Sequence, residues 1–213
     1  MLEMTKKLYD KMGPSVVKEL EKRYFEAYYV STAQEAAEKV LELIPKEHTV
    51  GWGGTMTIDQ LGVKEKLRQA GYTVIDRDTG KTPEEKQELM RACLTADTFL
   101  MSSNAVSEDG QLVNIDGNGN RVAALCYGPK SVVMVVGLNK VAPDLESAMA
   151  RARHTAAPMN AQRFANINTP CSVTGRCADC KGQGSICAQF VTTRLCKPAG
   201  RIKVVLVGED LGF

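Results

Sequence analysis

The chain has 213 residues, a net charge of +2, 44% apolar and 24% charged residues. That length suits one domain with a core of its own, needing no disulfides. The near-balanced charge gives no electrostatic case for nucleic acid or an anionic membrane as the main partner. No window approaches a membrane span, and Met1 to Lys11 has no continuous apolar stretch of the kind a targeting signal carries. A cytoplasmic location is expected, where thiols stay reduced.

In chain order, Met4 to Met12 reads as a short helix that Gly13-Pro14 punctuates. Pro14 suits the first turn of a second helix, with Val16, Val17, Leu20 and Tyr24 at helical spacing. Ala27 to Val30 is a short strand. Ser31 or Thr32 then caps a helix running to Ile44, whose apolar face is Ala36, Ala37, Val40, Leu41 and Ile44. Thr49 to Trp52 is a strand, Gly53-Gly54-Thr55 turns out of it, and a helical stretch runs to Ala70, where Gly71 supplies the stop. Tyr72 to Ile75 is the next strand, and Thr82-Pro83-Glu84-Glu85 opens another helix. Asp97 to Met101 is a strand, and Val106 to Ile115 is a hairpin-like excursion around Asp109-Gly110. Ser131 to Val136 is the apolar run of a buried parallel strand. Pro143 to Ala156 is a helix, and Arg201 to Val207 a last strand.

This alternation predicts an α/β fold with a mainly parallel sheet covered by helices on both faces. Residues 1–213 form one domain, and residues 165–200 form a small Cys-rich, metal-binding insertion near one edge of the sheet.

Five of the seven cysteines lie in that segment, spaced Cys171-x5-Cys177-x2-Cys180-x6-Cys187-x8-Cys196. Glycine and small polar residues separate them, so the loop can fold around an ion while packing little of its own. Cys171, Cys177, Cys180 and Cys187 are the expected metal ligands, with Cys196 a fifth thiol that could replace Cys171. Four thiolates suit tetrahedral structural zinc or a redox-active iron–sulfur cluster, and the spacing does not choose between them. Cys93 and Cys126 stand alone in apolar surroundings and are expected as small core residues.

Other candidates are polar and sit after strands. Gly51, Gly53, Gly54 and Thr55 form a glycine turn whose backbone can approach an anion, or which is simply a tight strand-to-helix turn. Residues just past the carboxyl ends of strands line the ligand crevice of open α/β sheets, which nominates Asn104, Glu108, Asp116, Asn139 and Lys140. Glu108 is the candidate carboxylate nucleophile or base. Arg121 is suited to a carboxylate or phosphate. Neither His48 nor His154 has a nearby Ser, Cys or Asp partner in sequence for a catalytic triad.

Taken together, Val50-Gly-Trp-Gly-Gly-Thr55, Ser103-Asn-Ala-Val-Ser-Glu-Asp-Gly110, Leu112 to Ala124, Gly128-Pro-Lys130, Val136-Gly-Leu-Asn-Lys140, Ala157-Pro-Met-Asn-Ala-Gln-Arg163 and Gly200 to Phe213 resemble the LUD-domain (lactate-utilization) proteins, in a short stand-alone branch with a C-terminal four-Cys motif. The resemblance implies an α/β fold of the sugar-phosphate isomerase and CoA-transferase class. It also implies a place in lactate or related 2-hydroxy-acid oxidation, and so favours an iron–sulfur cluster (4Fe-4S) over zinc. Asp97 to Asn114 is similar to a segment of methylthioribose-phosphate isomerases and related translation-factor subunits, which carry an aspartate where this chain has Asn104. Ser107-Glu108-Asp109-Gly110 is similar to the Ser-Glu-Asn-Gly motif of CoA-transferases, whose glutamate is the nucleophile.

Three functions follow as expectations. In the first, the chain is a subunit of an oxidoreductase, binding a small anionic metabolite in its crevice and passing electrons to a redox partner protein. The second is a metabolite-binding regulatory protein with a zinc staple. The third is a transferase or isomerase acting on a phosphorylated or CoA-linked substrate through Glu108.

Overall fold

The computed structural model describes residues 1–213. Six strands form one sheet in which every pairing is parallel: β1 (Glu26–Val30), β2 (Thr49–Trp52), β3 (Thr73–Ile75), β4 (Thr98–Met101), β7 (Ser131–Gly137) and β10 (Ile202–Val207), in the order β1-β10-β7-β4-β2-β3. The remaining strands, β5 (Ala105–Ser107), β6 (Leu112–Asp116), β8 (Val141–Ala142) and β9 (Gln189–Thr193), form a smaller mixed sheet in the order β8-β5-β6-β9.

Alternation along the central strand β7 explains the layering. Val132, Met134 and Val136 enter one core with Val16 and Leu20 of helix α1 (Glu3–Lys22) and Ala124 and Leu125 of α6 (Asn120–Tyr127). Val133 and Val135 enter the opposite core with Ala36, Ala37 and Val40 of α2 (Ala33–Glu42), Ile58 of α3 (Met56–Gln60), and Val63 and Leu67 of α4 (Val63–Gln69). Burial on both faces is why the strands read as continuous Val-rich runs. A third cluster, including Val113, Ile115 and Ala148, joins the small sheet to α7 (Leu145–Arg151). Helix α5 (Pro83–Ala92) contributes no buried residue.

Several local expectations are modified. Gly13-Pro14 does not divide α1: one helix runs through Pro14, with Val16 and Leu20 buried. Packing outweighs the missing N–H, and Gly13 is seated so close to the Tyr29 ring that a Cβ there would lie 2.2 Å from Tyr29 Cδ2. The stretch after the glycine turn divides into α3 and α4 at Gly62, whose φ of 64° is left-handed. Helix α7 runs through a π-helical turn, Ala152–Ala156, into α8 (Ala157–Ala161). Helix α6 arises between Ile115 and Ser131, where the sequence suggests no regular element. Gly119 at φ 84° precedes it, and Asp116 Oδ2 accepts from the N–H groups of Arg121 (3.0 Å) and Val122 (3.2 Å) in its first turn. At its other end Arg201 donates to the carbonyls of Ala124 (2.8 Å) and Leu125 (2.6 Å).

The Cys-rich segment begins with the short α9 (Pro170–Thr174) and ends in β9, which pairs with β6 along Leu112 to Asp116. It is thereby tied to the small sheet that follows β4. Cys126 corrects one expectation: it is exposed on the outer side of α6, whereas Cys93 is buried. No helix is long and apolar enough to cross a membrane.

Candidate functional site

A crevice of about 260 Å³ opens beyond the carboxyl ends of the main-sheet strands. Thr55 and Thr57 reach it after β2, Arg77 after β3, Ser102 and Asn104 after β4, Lys140 after β7 and Gly212 after β10. This is the general location of ligand sites in open α/β sheets. Four basic side chains line it, Arg77, Arg121, Lys140 and Arg163, against one acid, Asp116. Both oxygens of Asp116 are engaged by backbone: Oδ1 accepts from Gly117 N (3.1 Å), and Oδ2 serves α6. The crevice is therefore electropositive, which favours an anion.

Arg121 is its organiser. Nη1 donates to Ser102 O (3.1 Å) and Asn114 Oδ1 (2.9 Å), and Nη2 to Asn104 Oδ1 (2.9 Å) and Ile115 O (2.6 Å). All four acceptors are neutral. The guanidinium thus bonds no carboxylate directly, and desolvation pulls its pKa down, with Asp116 opposing and Arg77 reinforcing the effect. The four bonds cross-link the end of β4 to β6. They engage both terminal nitrogens that a bidentate carboxylate would need, so Arg121 shapes and charges the crevice from within its wall.

The glycine turn works with arginines. A Cβ on Gly53 would stand 3.1 Å from Arg121 Cδ and Cγ, and one on Gly54 would stand 2.6 Å from Arg77 Nη2. Gly53 thus admits the aliphatic stem of Arg121 to the turn, and Gly54 the guanidinium of Arg77. Gly51 instead packs inward on Cys93, 2.8 Å from its Sγ by the same measure. Two polar groups lining the crevice are left over: Thr55 Oγ1, on a residue only 6% exposed, and Arg77 Nε are buried without a hydrogen-bond partner. Buried polar atoms are nearly always paired, so such a couple invites an acceptor from outside.

Of the sequence candidates, Gly54, Thr55, Asn104, Asp116, Arg121 and Lys140 line the crevice together. Asn139 sits behind it, where Oδ1 accepts from Leu211 N (3.1 Å) and holds the C-terminal segment. Glu108 is not among the lining residues. It is exposed on the β5–β6 turn, at the far end of β5 from Asn104. Arg77, Thr57 and Ser102 escaped the sequence reading, although Arg77 obeys the same rule of position after a strand.

The cysteines have a pocket of their own, about 40 Å³ in volume. Cys171, Cys177, Cys180 and Cys187 all line it, with Ala157, Pro158 and Phe190 as apolar wall. Cys171 is placed by α9, where Thr169 and Ser172 form a reciprocal capping box. Asp179 takes a left-handed φ of 51° between Cys177 and Cys180. Ser185 Oγ accepts from Cys187 N (3.3 Å) and from the Cys180 thiol (3.6 Å). Burial and the three neighbouring thiols push Cys187 up to about 11. Cys196 lies elsewhere: it is buried in the α1 core and accepts from Ile202 N at 3.3 Å. The four pocket thiols face a common space without closing to ligating distance. No group of three or more His, Cys, Asp or Glu side chains in the chain is drawn together tightly enough to hold a metal ion.

Arg153, carried by the π turn, lines this pocket beside the thiols. It pairs with Asp179 (2.8 Å) through Nη2, while its buried Nε has no partner. The two cavities adjoin. Ile115 lines both, and Ile186 lines the crevice immediately before Cys187.

Fold and site define an α/β protein with a parallel sheet and a cationic crevice at its carboxyl edge. The LUD-domain family matches residues 14–207, and the chain belongs to that family. A DUF162-family protein from Deinococcus radiodurans shares the fold, with a TM-score of 0.55 at 12% identity over 93% of this chain and 97% of that one. Weaker overlaps occur with eIF2B beta of Chaetomium thermophilum (TM-score 0.36, 17% identity, 54% of this chain and 43% of that one). The delta subunit of the same organism gives a TM-score of 0.34 at 16% identity over 66% and 54%. No curated protein matches the sequence.

Proposed function

We propose that the protein is a component of lactate or related 2-hydroxy-acid utilization, binding a small anionic metabolite in the crevice and an iron–sulfur cluster, of the 4Fe-4S type, at Cys171, Cys177, Cys180 and Cys187. Family membership supports the metabolic setting. The observation that carries the reading is the contiguity of the two cavities through Ile115 and the Ile186-Cys187 step.

The donor set matches such a group in kind and number, and binding it would draw together thiols that stand apart in this structure. Four thiols around one small, largely apolar space are the ligand complement of a cluster, whose charge a neighbouring guanidinium can balance. Arg153, which pairs with Asp179, stacks on Phe190 and keeps an Nε without a hydrogen-bond partner, is the guanidinium that lines this pocket. When bound, the cluster would supply one-electron transfer, with the acceptor a partner protein. The chain's own residues do the rest. Arg77 and Thr55 receive the anion, Arg121 holds the walls of the crevice, and Ile115 and Ile186 form the apolar partition between ligand and thiols.

The test is anaerobic reconstitution with iron and sulfide, followed by electron paramagnetic resonance of the reduced protein with and without L-lactate or pyruvate. A cluster signal altered by either compound, and unaltered by it in Arg77→Met, supports the reading. A protein that takes up only zinc, or a cluster indifferent to both compounds, contradicts it.

A further inference from the structure

Lys140 closes the single turn Leu138–Lys140 that follows β7, and it is 2% exposed. Its Nζ donates to Thr57 Oγ1 at 2.9 Å and to Ser102 Oγ at 3.0 Å. The hydroxyls have acceptors of their own: Ser102 Oγ (3.2 Å) and, at longer range, Leu211 O (3.5 Å) for Thr57, and Ser103 O (3.4 Å) for Ser102. Both therefore serve as acceptors toward the amine. A neutral amine has two N–H bonds, and here both are used. The nitrogen's remaining position would carry a third proton in an ammonium ion, and no acceptor stands ready for it.

Charge points the same way. No carboxylate pairs with Lys140, and the charged groups facing it are Arg151 from α7 and Arg121 from α6. Asp116, the acid of the crevice, is turned to backbone N–H groups. Burial, then Arg151 and Arg121, bring Lys140 down from 10.5 to about 7. A large fraction of the amine is thus unprotonated near neutrality, as a lysine nucleophile requires.

We propose that Lys140 captures the carbonyl carbon of a 2-oxo acid as an imine. This rests on the reading of the crevice as the site of a small anionic metabolite, and it names that metabolite's class. The nitrogen lone pair forms a bond to the carbonyl carbon, and the carbonyl π pair moves to oxygen, which takes a proton. The resulting carbinolamine gives up its N–H proton and its hydroxyl, and C=N forms as one water leaves. Nothing is oxidised or reduced. Ser102 and Thr57, both on the amine, are placed to pass the protons. Thr55 Oγ1 and Arg77 Nε, neither hydrogen-bonded and the latter only in a long ion pair with Asp78 (3.5 Å), offer donors to the carboxylate. A 2-oxo acid presents both groups, a carbonyl for the amine and a carboxylate for these donors.

The experiment treats the full chain with pyruvate and cyanoborohydride at neutral pH and maps the modified lysines by peptide mass spectrometry. Pyruvate binding is measured in parallel by calorimetry without reductant. The expected result is a reduced pyruvyl adduct on Lys140, formed at least about ten times faster than on any surface lysine, whose amine is almost wholly protonated. Adducts confined to surface lysines overturn the proposal. If pyruvate then still binds, the imine alone fails and the anionic-metabolite reading stands; if it does not bind, both fail. Labelling of Lys140 by propionaldehyde but not by pyruvate also overturns the proposal, since it gives a nucleophile without the acid specificity.

Discussion

Ile186 lines the cationic crevice, and Cys187, the next residue, lines the thiol pocket. The backbone of Ile186 lies against Gly117, where a Cβ would meet Ile186 O at 3.2 Å and Cα at 3.3 Å. One peptide step thus separates a ligand-facing side chain from a proposed cluster ligand, and a glycine lets that step approach β6.

Gly117→Val inserts a branched side chain at this contact. The prediction is that the Ser185–Cys187 turn is displaced, so that iron uptake and pyruvate affinity fall together, each by roughly tenfold or about 1.4 kcal/mol. Metal analysis and calorimetry on one preparation check it. Loss of one property with full retention of the other would separate the two sites.

Arg121→Met leaves Asn104 Oδ1, Asn114 Oδ1, Ser102 O and Ile115 O without their charged donor. Hydrogen bonds to charged groups are worth about 1.5–3 kcal/mol each, and buried orphaned acceptors add desolvation cost. The expected loss is at least about 3 kcal/mol by urea denaturation. A variant of unchanged stability would show that these bonds are not maintained in solution.

The fold was largely legible in the sequence. Apolar runs such as Val132 to Val136 announce buried parallel strands, and the cap expected at Ser31 or Thr32 falls on Thr32, which forms a capping box with Glu35. The small sheet was not, because β8 is two residues long and β9 has no fully buried residue, so neither carries a periodic signal. Helix α6 was hidden behind Asn-Gly repeats that read as a loop, and its first turn is satisfied by Asp116 from the preceding strand. In the site, position after a strand nominated Asn104 and Lys140, which line the crevice, and by the same rule would have nominated Arg77. It did not reveal that the basic residues differ in kind. Arg121 is enclosed by four acceptors, Arg77 Nε has no hydrogen-bond partner and only a long ion pair to Asp78 (3.5 Å), and Lys140 lies between two hydroxyls. Those differences depend on contacts between residues far apart in the chain.

The buried Lys140 sets a pH dependence of stability. Below about 7 the folded and unfolded chains both hold its proton, and the folded chain bears the full cost of burying the charge. From about 7 up to the ordinary 10.5 the unfolded chain binds more protons, so this group's contribution makes the protein more stable as pH rises. Lys140→Met should remove that rise, which is on the order of a few kcal/mol. The variant should exceed the wild type in stability at pH 6, with the gap narrowing toward pH 10. Parallel curves for the two proteins would show a lysine with an ordinary titration.

Cys196→Ala separates the fifth thiol from the other four. Because Cys196 is buried in the α1 core and accepts from Ile202 N, the variant should lose about 1–2 kcal/mol of stability. Its iron content should equal that of the wild type. Iron lost in Cys196→Ala at preserved fold would instead make Cys196 a ligand.

The most direct measurement is the visible spectrum of anaerobically purified protein, with iron, sulfide and zinc determined on the same sample and on Cys177→Ser. The account predicts a brown protein with a broad band bleached by dithionite, close to four irons and four sulfides per chain as a 4Fe-4S cluster demands, and a colourless Cys177→Ser variant. A colourless wild type carrying about one zinc per chain would contradict the electron-transfer role and reduce the four thiols to a structural staple.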